Sequence, residues 1–208
     1  MDSKGIYEAL QTKFGEEVVF GFQPAEHKTH DPFFFVKPER VAEIATWLRD
    51  APDLLCDYME CLSGVDYPDK SQVHVVYHAF SYTLKHRAVL KVALPRDNPR
   101  VPSLCGVWSA ANWQERECYD LFGVTFEGHP DLRRILLPDD WVGHPMRRDY
   151  KEAADYQGIP TTRPNPLDLL TIKIDKPKAE PKAEGDKPKP APKAAPPKAD
   201  EKPDPKAE

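Results

Sequence analysis

Three β-type stretches, Leu54–Leu62, Val73–Phe80 and Arg87–Leu94, follow one another with only turn chemistry between them. No other feature constrains the fold as much. The breaks at Asp66-Tyr67-Pro68-Asp69-Lys70 and Thr83-Leu84-Lys85 are too short to hold a crossover helix. A parallel return needs a dozen or more residues, so these strands are expected to pair antiparallel. In Gln72–His78 the alternation places His74 and His78 together on one sheet face. Upstream, Ser3 is placed to cap a helix with Ile6, Ala9, Leu10 and Phe14 at helical spacing, which Gly15 breaks. Val18-Val19-Phe20 and Phe33–Val36 read as short strands. Pro38 opens a second helix whose apolar face is Val41, Ile44, Ala45 and Leu48, and Pro52 stops it. Helices covering one face of an antiparallel or mixed sheet make an α+β fold.

Pro95, Pro99 and Pro102 mark a loop, after which Ser109 is placed to cap a third helix ending at Gly123. Residues 1–123 then form the α+β domain, and 124–175 form an extended, irregular segment. That segment has too little periodicity to fold alone and is expected to drape over its own domain or a neighbour. Residues 176–208 hold nine Pro, nine Lys, seven acidic residues and no aliphatic larger than Ala. Nothing there offsets the entropy of ordering, so a disordered tail is expected.

Charge sharpens once the tail is set apart. Nine lysines against seven acids give it +2, which leaves the rest of the −5 chain at −7. An acidic body argues against a nucleic-acid surface or a broad anionic-lipid surface. No stretch approaches the roughly 18–20 uncharged apolar residues of a membrane span. The N-terminus has early acids and no apolar core, unlike a signal or transit peptide. Membrane association is therefore expected only through partners. Cys56, Cys61, Cys105 and Cys118 form no C-x-x-C pair, which is poor spacing for an iron–sulfur or zinc site and suits packed thiols. Dinucleotide and phosphate-binding glycine loops are also missing.

The most informative block runs from Trp113 to Leu136 and carries Glu115-Arg116-Glu117, Asp120, His129 and Arg133. It resembles the signature of the respiratory complex I 30 kDa subunit family. The likeness extends upstream through Gly64-Val65-Asp66-Tyr67-Pro68 and Val75-Val76-Tyr77-His78, and downstream from Leu137 to Tyr150. The first 35 residues match loosely and the tail lies outside it. The resemblance implies a structural, assembly-supporting component in the hydrophilic arm of a proton-translocating NADH:quinone oxidoreductase. Such a component packs against the quinone-site (D-type) subunit and the B-type subunit, peripheral on the cytoplasmic side of the bacterial inner membrane. FMN and iron–sulfur clusters then sit in partner subunits, and this chain binds no cofactor, metal or substrate of its own. Related hydrogenase and dehydrogenase complexes carry equivalent subunits, so the resemblance fixes the superfamily more firmly than the electron donor.

The residues themselves leave rival chemistries to weigh. Trp113, Glu117 and Leu121 share a helix face, and Arg116 and Asp120 are one turn apart and positioned to pair. These carboxylates could relay protons. The plainer expectation is buried or interfacial ion pairs with Arg133, Arg134, Arg147 and Arg148. His129 and His144, with Asp131, Asp139 and Asp140, could be imagined as a metal site of a stand-alone enzyme, but they lack ligand-pair spacing. A hydrogen-bonded structural role for both histidines is expected instead.

Overall fold

A computed structural model describes residues 1–27 and 30–161, so the Pro/Lys/Ala tail and the end of the irregular segment lie outside the described residues. Five strands form the main sheet: β1 (Val19–Gln23), β2 (Phe33–Val36), β3 (Tyr58–Tyr67), β4 (Gln72–Phe80) and β5 (Arg87–Pro95). Their order is β1-β2-β5-β4-β3. The meander β3-β4-β5 is antiparallel, with Gly64 opposite Val75 and Val75 opposite Val92. β2 pairs parallel with β5, Phe34 opposite Leu90, so the sheet is mixed. That parallel pair is separated by enough chain to make the return. The α+β expectation, with an antiparallel or mixed sheet, holds.

Alternation decides which face is covered. Val73, Val75, Tyr77 and Ala79 of β4 join Leu90, Val92 and Leu94 of β5 in the core, with Ile6, Leu10, Ile44, Leu48 and Phe122 from the helices. Helices α1 (Ser3–Phe14), α2 (Val41–Asp50) and α3 (Ala111–Phe122) all bury apolar residues in this one cluster. The opposite face carries His74 between Phe35 and Tyr67, with ring centroids 5.7 and 4.5 Å away. His78 lies on that face as well, beside Val76, Val89 and Lys91, in a cavity of about 500 Å³.

Several local expectations shift. Asp2, not Ser3, caps α1: its carboxylate accepts the Gly5 N–H at 2.9 Å, and Ser3 is already helical. Pro38–Arg40 form a short 3₁₀ turn, and α2 proper begins at Val41. Leu54–Asp57 are not strand. Leu54 and Leu55 hydrogen-bond back to Ala51 and Cys56 to Leu48, so this apolar run closes the end of α2. Strand β3 instead continues through Asp66 and Tyr67, and the turn begins only at Pro68, ending with Ser71 at a left-handed φ of 51°. Ser109 gives no side-chain cap to α3, which starts after Ala110 in a helical backbone conformation.

After α3, Gly123 takes a left-handed φ of 74° and ends the helix, as its position suggested. Its Cα hydrogen faces the His144 ring, since a Cβ there would lie 2.5 Å from His144 Nε2. A short strand β6 (Arg100–Pro102) before α3 pairs parallel with β7 (Thr125–Glu127) after it. Beyond β7 the chain is irregular up to a two-stranded hairpin, β8 (Asp155–Tyr156) and β9 (Ile159–Pro160). Among the described residues, no helix is long and apolar enough to cross a membrane.

Candidate functional site

The charged residues of α3 divide between the core and the surface. Glu115 and Asp120 are fully buried and Arg116 nearly so, whereas Glu117 and Trp113 face outward. Trp113 is 64% exposed with the Arg116 guanidinium 5.2 Å from its ring centroid, a cation–π contact at the helix surface. The face shared by Trp113, Glu117 and Leu121 is thus largely an outer face.

Glu115 meets no arginine among the described residues. Its carboxylate accepts from the Ser103 hydroxyl at 2.6 Å, the Leu104 N–H at 2.6 Å and the Cys105 thiol at 3.4 Å. It pins the loop before α3 to the helix. Burial pushes the Glu115 carboxyl above its ordinary range, against the pull of those donors. The expected arginine pairing fails here because the nearest donors come from the Ser103–Cys105 loop.

Asp120 works the other way. Its Oδ2 accepts the backbone N–H groups of Ile135, Leu136 and Leu137 at 3.1, 2.8 and 2.9 Å, and its Oδ1 takes the Arg134 guanidinium at 2.9 Å. Burial alone would raise its pKa, but these four donors together outweigh it and hold the carboxyl below the ordinary range. Arg116 and Asp120 do not pair. Arg116 instead donates to the carbonyls of Arg133 and Arg134 at 3.2 and 3.3 Å. One turn of α3 therefore fastens both sides of the Arg133–Leu137 backbone, with the guanidinium holding carbonyls and the carboxylate holding N–H groups.

The remaining expected residues continue this binding. His144 Nδ1–H donates to the Asp120 carbonyl at 2.9 Å, and Arg147 Nε donates to the Phe122 carbonyl at 2.8 Å. Both satisfy acceptors left open at the helix C-terminus. The Arg148 N–H donates to Asp66 at 2.9 Å. Asp66 also takes the Arg96 guanidinium through both oxygens, at 2.8 and 3.0 Å, and Arg96 reaches on to Asp149. The Arg96 hydrogen bonds lower the Asp66 pKa despite its burial. Arg133 is 70% exposed at its side chain and, among the described residues, pairs only with Asp131, its near neighbour.

Asp66, Arg96 and Ser103 were not singled out as site residues from the sequence. Their partners lie 82, 53 and 12 residues away, with no periodicity to betray them. The signal available for Asp66 was a carboxylate inside an otherwise β-forming run, which needs a partner if it is buried.

His129 and His144 do not converge. His129 sits at the start of α3, its Nε2–H donating to the Asn112 carbonyl at 3.1 Å and its Nδ1 accepting the Asp131 N–H at 3.0 Å. His144 lies at the other end, so the imagined His129–His144–Asp metal site is not assembled. A different group of metal-type donors does come together: Cys105, Glu115 and His129 have atoms within 4.8 Å of one another. Each of these donors already has a hydrogen-bond partner, Cys105 and Glu115 with one another and His129 with the Asn112 carbonyl. Burial raises the Cys105 thiol to about 11, opposing thiolate formation. Of the four free thiols, Cys56 and Cys118 are buried as expected, but Cys61 is exposed.

The fold and this α3-centred clamp define an α+β domain that carries an irregular, arginine-bearing strip. Residues 34–156 match the family described as respiratory-chain NADH dehydrogenase, 30 kDa subunit. The chain is 46% identical over 155 residues to the C-type subunit of NADH-quinone oxidoreductase from Chlorobium phaeobacteroides, covering 74% of this chain and 91% of that one. It is 48% identical over 122 residues to the same subunit of a Roseiflexus species, covering 58% and 70%. A solved trypsin-resistant fragment of Nqo5 superposes with a TM-score of 0.50 at 27% identity, over 64% of this chain and all of the fragment. A chain of an archaeal membrane-bound sulfane sulfur reductase shares the fold at a TM-score of 0.59 and 21% identity, over 88% and 98%. The chain belongs to the 30 kDa subunit family of the respiratory-chain NADH dehydrogenase.

Proposed function

We propose that this chain is a scaffold component of the hydrophilic arm of a proton-translocating NADH:quinone oxidoreductase. It contributes assembly, not chemistry, while FMN, the iron–sulfur clusters and the quinone site belong to other subunits. Its neighbours are the quinone-site (D-type) subunit and the B-type subunit, and it lies peripherally on the cytoplasmic side of the bacterial inner membrane. The observation that carries the reading is the clamp of Asp120 and Arg116 on the 133–137 backbone. Every buried charge of α3 is consumed in holding that strip or the loop before the helix, so none is left poised for proton transfer. Meanwhile the strip and the segment after it present Arg133, Leu136, Val142, Met146 and Arg148 outward. A surface that is rigidly held and leaves large apolar side chains exposed is built to be covered.

Purification of the native complex through an affinity tag on this chain tests the reading. Co-purification of flavin-bearing, iron–sulfur and quinone-site subunits is expected, and their replacement by hydrogenase-type subunits would assign the chain to a related complex. Stoichiometric metal with turnover in the isolated chain would overturn the scaffold reading. The arginines separate two effects. Arg133→Glu should leave the isolated chain folded but lower its incorporation before quinone kinetics change. Arg134→Glu should unfold the strip itself, because Arg134 is largely buried against Asp120. Fully assembled Arg133→Glu complex with only an altered quinone KM would contradict the proposal.

A further inference from the structure

The hairpin of β8 and β9 lies beside Trp141 and borders an open pocket of about 190 Å³. Its walls are aromatic. Trp141 and Tyr156 meet with ring centroids 5.1 Å apart and planes inclined at 48°, and Tyr150 lines the same space. Asp140 fixes the arrangement by accepting from the Tyr156 hydroxyl at 2.8 Å and the Gln157 amide at 3.1 Å. At the mouth stand Glu152 and Asp155, both exposed, and neither has an ion-pair partner among the described residues. The Trp141 indole N–H is buried and meets no acceptor among the described residues. Val142 beside it is 83% exposed and Ile159 on the hairpin 68%.

These features select a ligand by chemistry. The volume is below the roughly 300–1,000 Å³ of small-molecule and cofactor sites, but a single long side chain fits. Electron-rich ring faces with carboxylates at the rim attract a cation and repel an anion. The exposed Val142 and Ile159 on either side match an apolar collar that only another protein surface would cover. We propose that this pocket receives an arginine or lysine side chain from a neighbouring subunit, held between the aromatic walls and the rim carboxylates. The cage anchors the end of the strip that α3 holds at its beginning. The inference rests on the scaffold reading, because it needs a complex to supply the neighbour.

A photo-crosslinking amino acid at Val142, an exposed position outside the core, tests this in the intact complex purified through a tag on a different subunit. Irradiation and peptide mapping should join residue 142 to a segment of another subunit within a few residues of an arginine or lysine. Reversing the rim charge with Glu152→Lys and Asp155→Lys together should lower retention of this chain roughly three- to tenfold, as loss of one partly buried cation–π and charge contact predicts. Trp141→Phe, which keeps a ring but removes the N–H, should weaken retention less than Trp141→Ala. A crosslink to residues 162–208 of this same chain, a crosslink to a second copy, or no crosslink in a complex that does contain the chain each overturns the proposal and leaves the scaffold reading standing. Absence of the chain from the purified complex overturns both.

Discussion

Glu115 and Asp120 lie on the same helix, both fully buried, yet their ionised forms are treated in opposite ways. Around Glu115, burial outweighs three donors and the folded pKa is raised. Around Asp120, three backbone N–H groups and a guanidinium win, and the folded pKa is depressed. The consequences for stability have opposite signs. The contribution of Glu115 is fully present below the unfolded glutamate value of about 4.3 and declines as pH rises through the raised folded value. That of Asp120 is fully present above the unfolded aspartate value of about 3.9 and is lost as pH falls through the depressed folded value. Glu115→Gln keeps an acceptor for Leu104 and a donor for Ser103, so it should change unfolding stability by no more than about 0.5–1.5 kcal/mol. It should also flatten the decline that begins above the unfolded glutamate value. Asp120→Ala leaves a guanidinium and three N–H groups without their acceptor and should cost about 3–5 kcal/mol near neutral pH. Urea midpoints followed from acid to neutral pH measure both, and a costly Glu115→Gln beside a harmless Asp120→Ala would invert the account.

At the scale of elements, α3 is the piece on which the others depend, and its seat on β3 is tight. Gly64 on β3 faces the Phe122 ring so closely that an added Cβ would lie 2.6 Å from Cδ2 and 2.9 Å from Cγ. Gly64→Ala must displace that ring, so it should destabilise the chain by about 1–3 kcal/mol, the usual range for overpacking. Phe122→Leu in the same chain should recover part of the loss, because the two sites share one contact. Additive losses in the double variant would mean that the glycine is kept for a backbone reason instead. This contact also marks where sequence reading reaches its limit. The meander was legible because period-two alternation survives in any context, and Gly123 as a helix stop was legible because left-handed φ favours glycine. The start of β3 was misplaced because Leu54 and Cys56 have the same apolar alternation whether they line a sheet or plug the end of α2. The family signature marked Glu115, Arg116, Asp120, His129 and Arg133, but not their partners. A carboxylate looks the same in sequence whether it meets an arginine, as Asp120 does, or a hydroxyl and a backbone N–H, as Glu115 does.

At the scale of the whole molecule, charge is unevenly shared along the chain. Residues 1–175 carry the −7 balance and residues 176–208 carry +2. Residues 176–208 offer no aliphatic side chain larger than alanine that could add to the core, and their lysines are interleaved with acids and prolines. A chain ending at Asp175 should therefore unfold at the same urea midpoint as the full chain, within about 0.5 kcal/mol, the scatter of surface changes. It should also enter the complex at nearly full yield. Its net charge falls from −5 to −7, so any effect on incorporation should appear at low ionic strength and vanish near physiological salt, where screening acts over about 8 Å. A large loss of incorporation that salt leaves unchanged would show that residues 176–208 make specific contacts of their own. That result would place them in the subunit interface. The strip at 133–150 would then share the work of docking with the chain's far end, and crosslinking from Val142 would be the first place to see it.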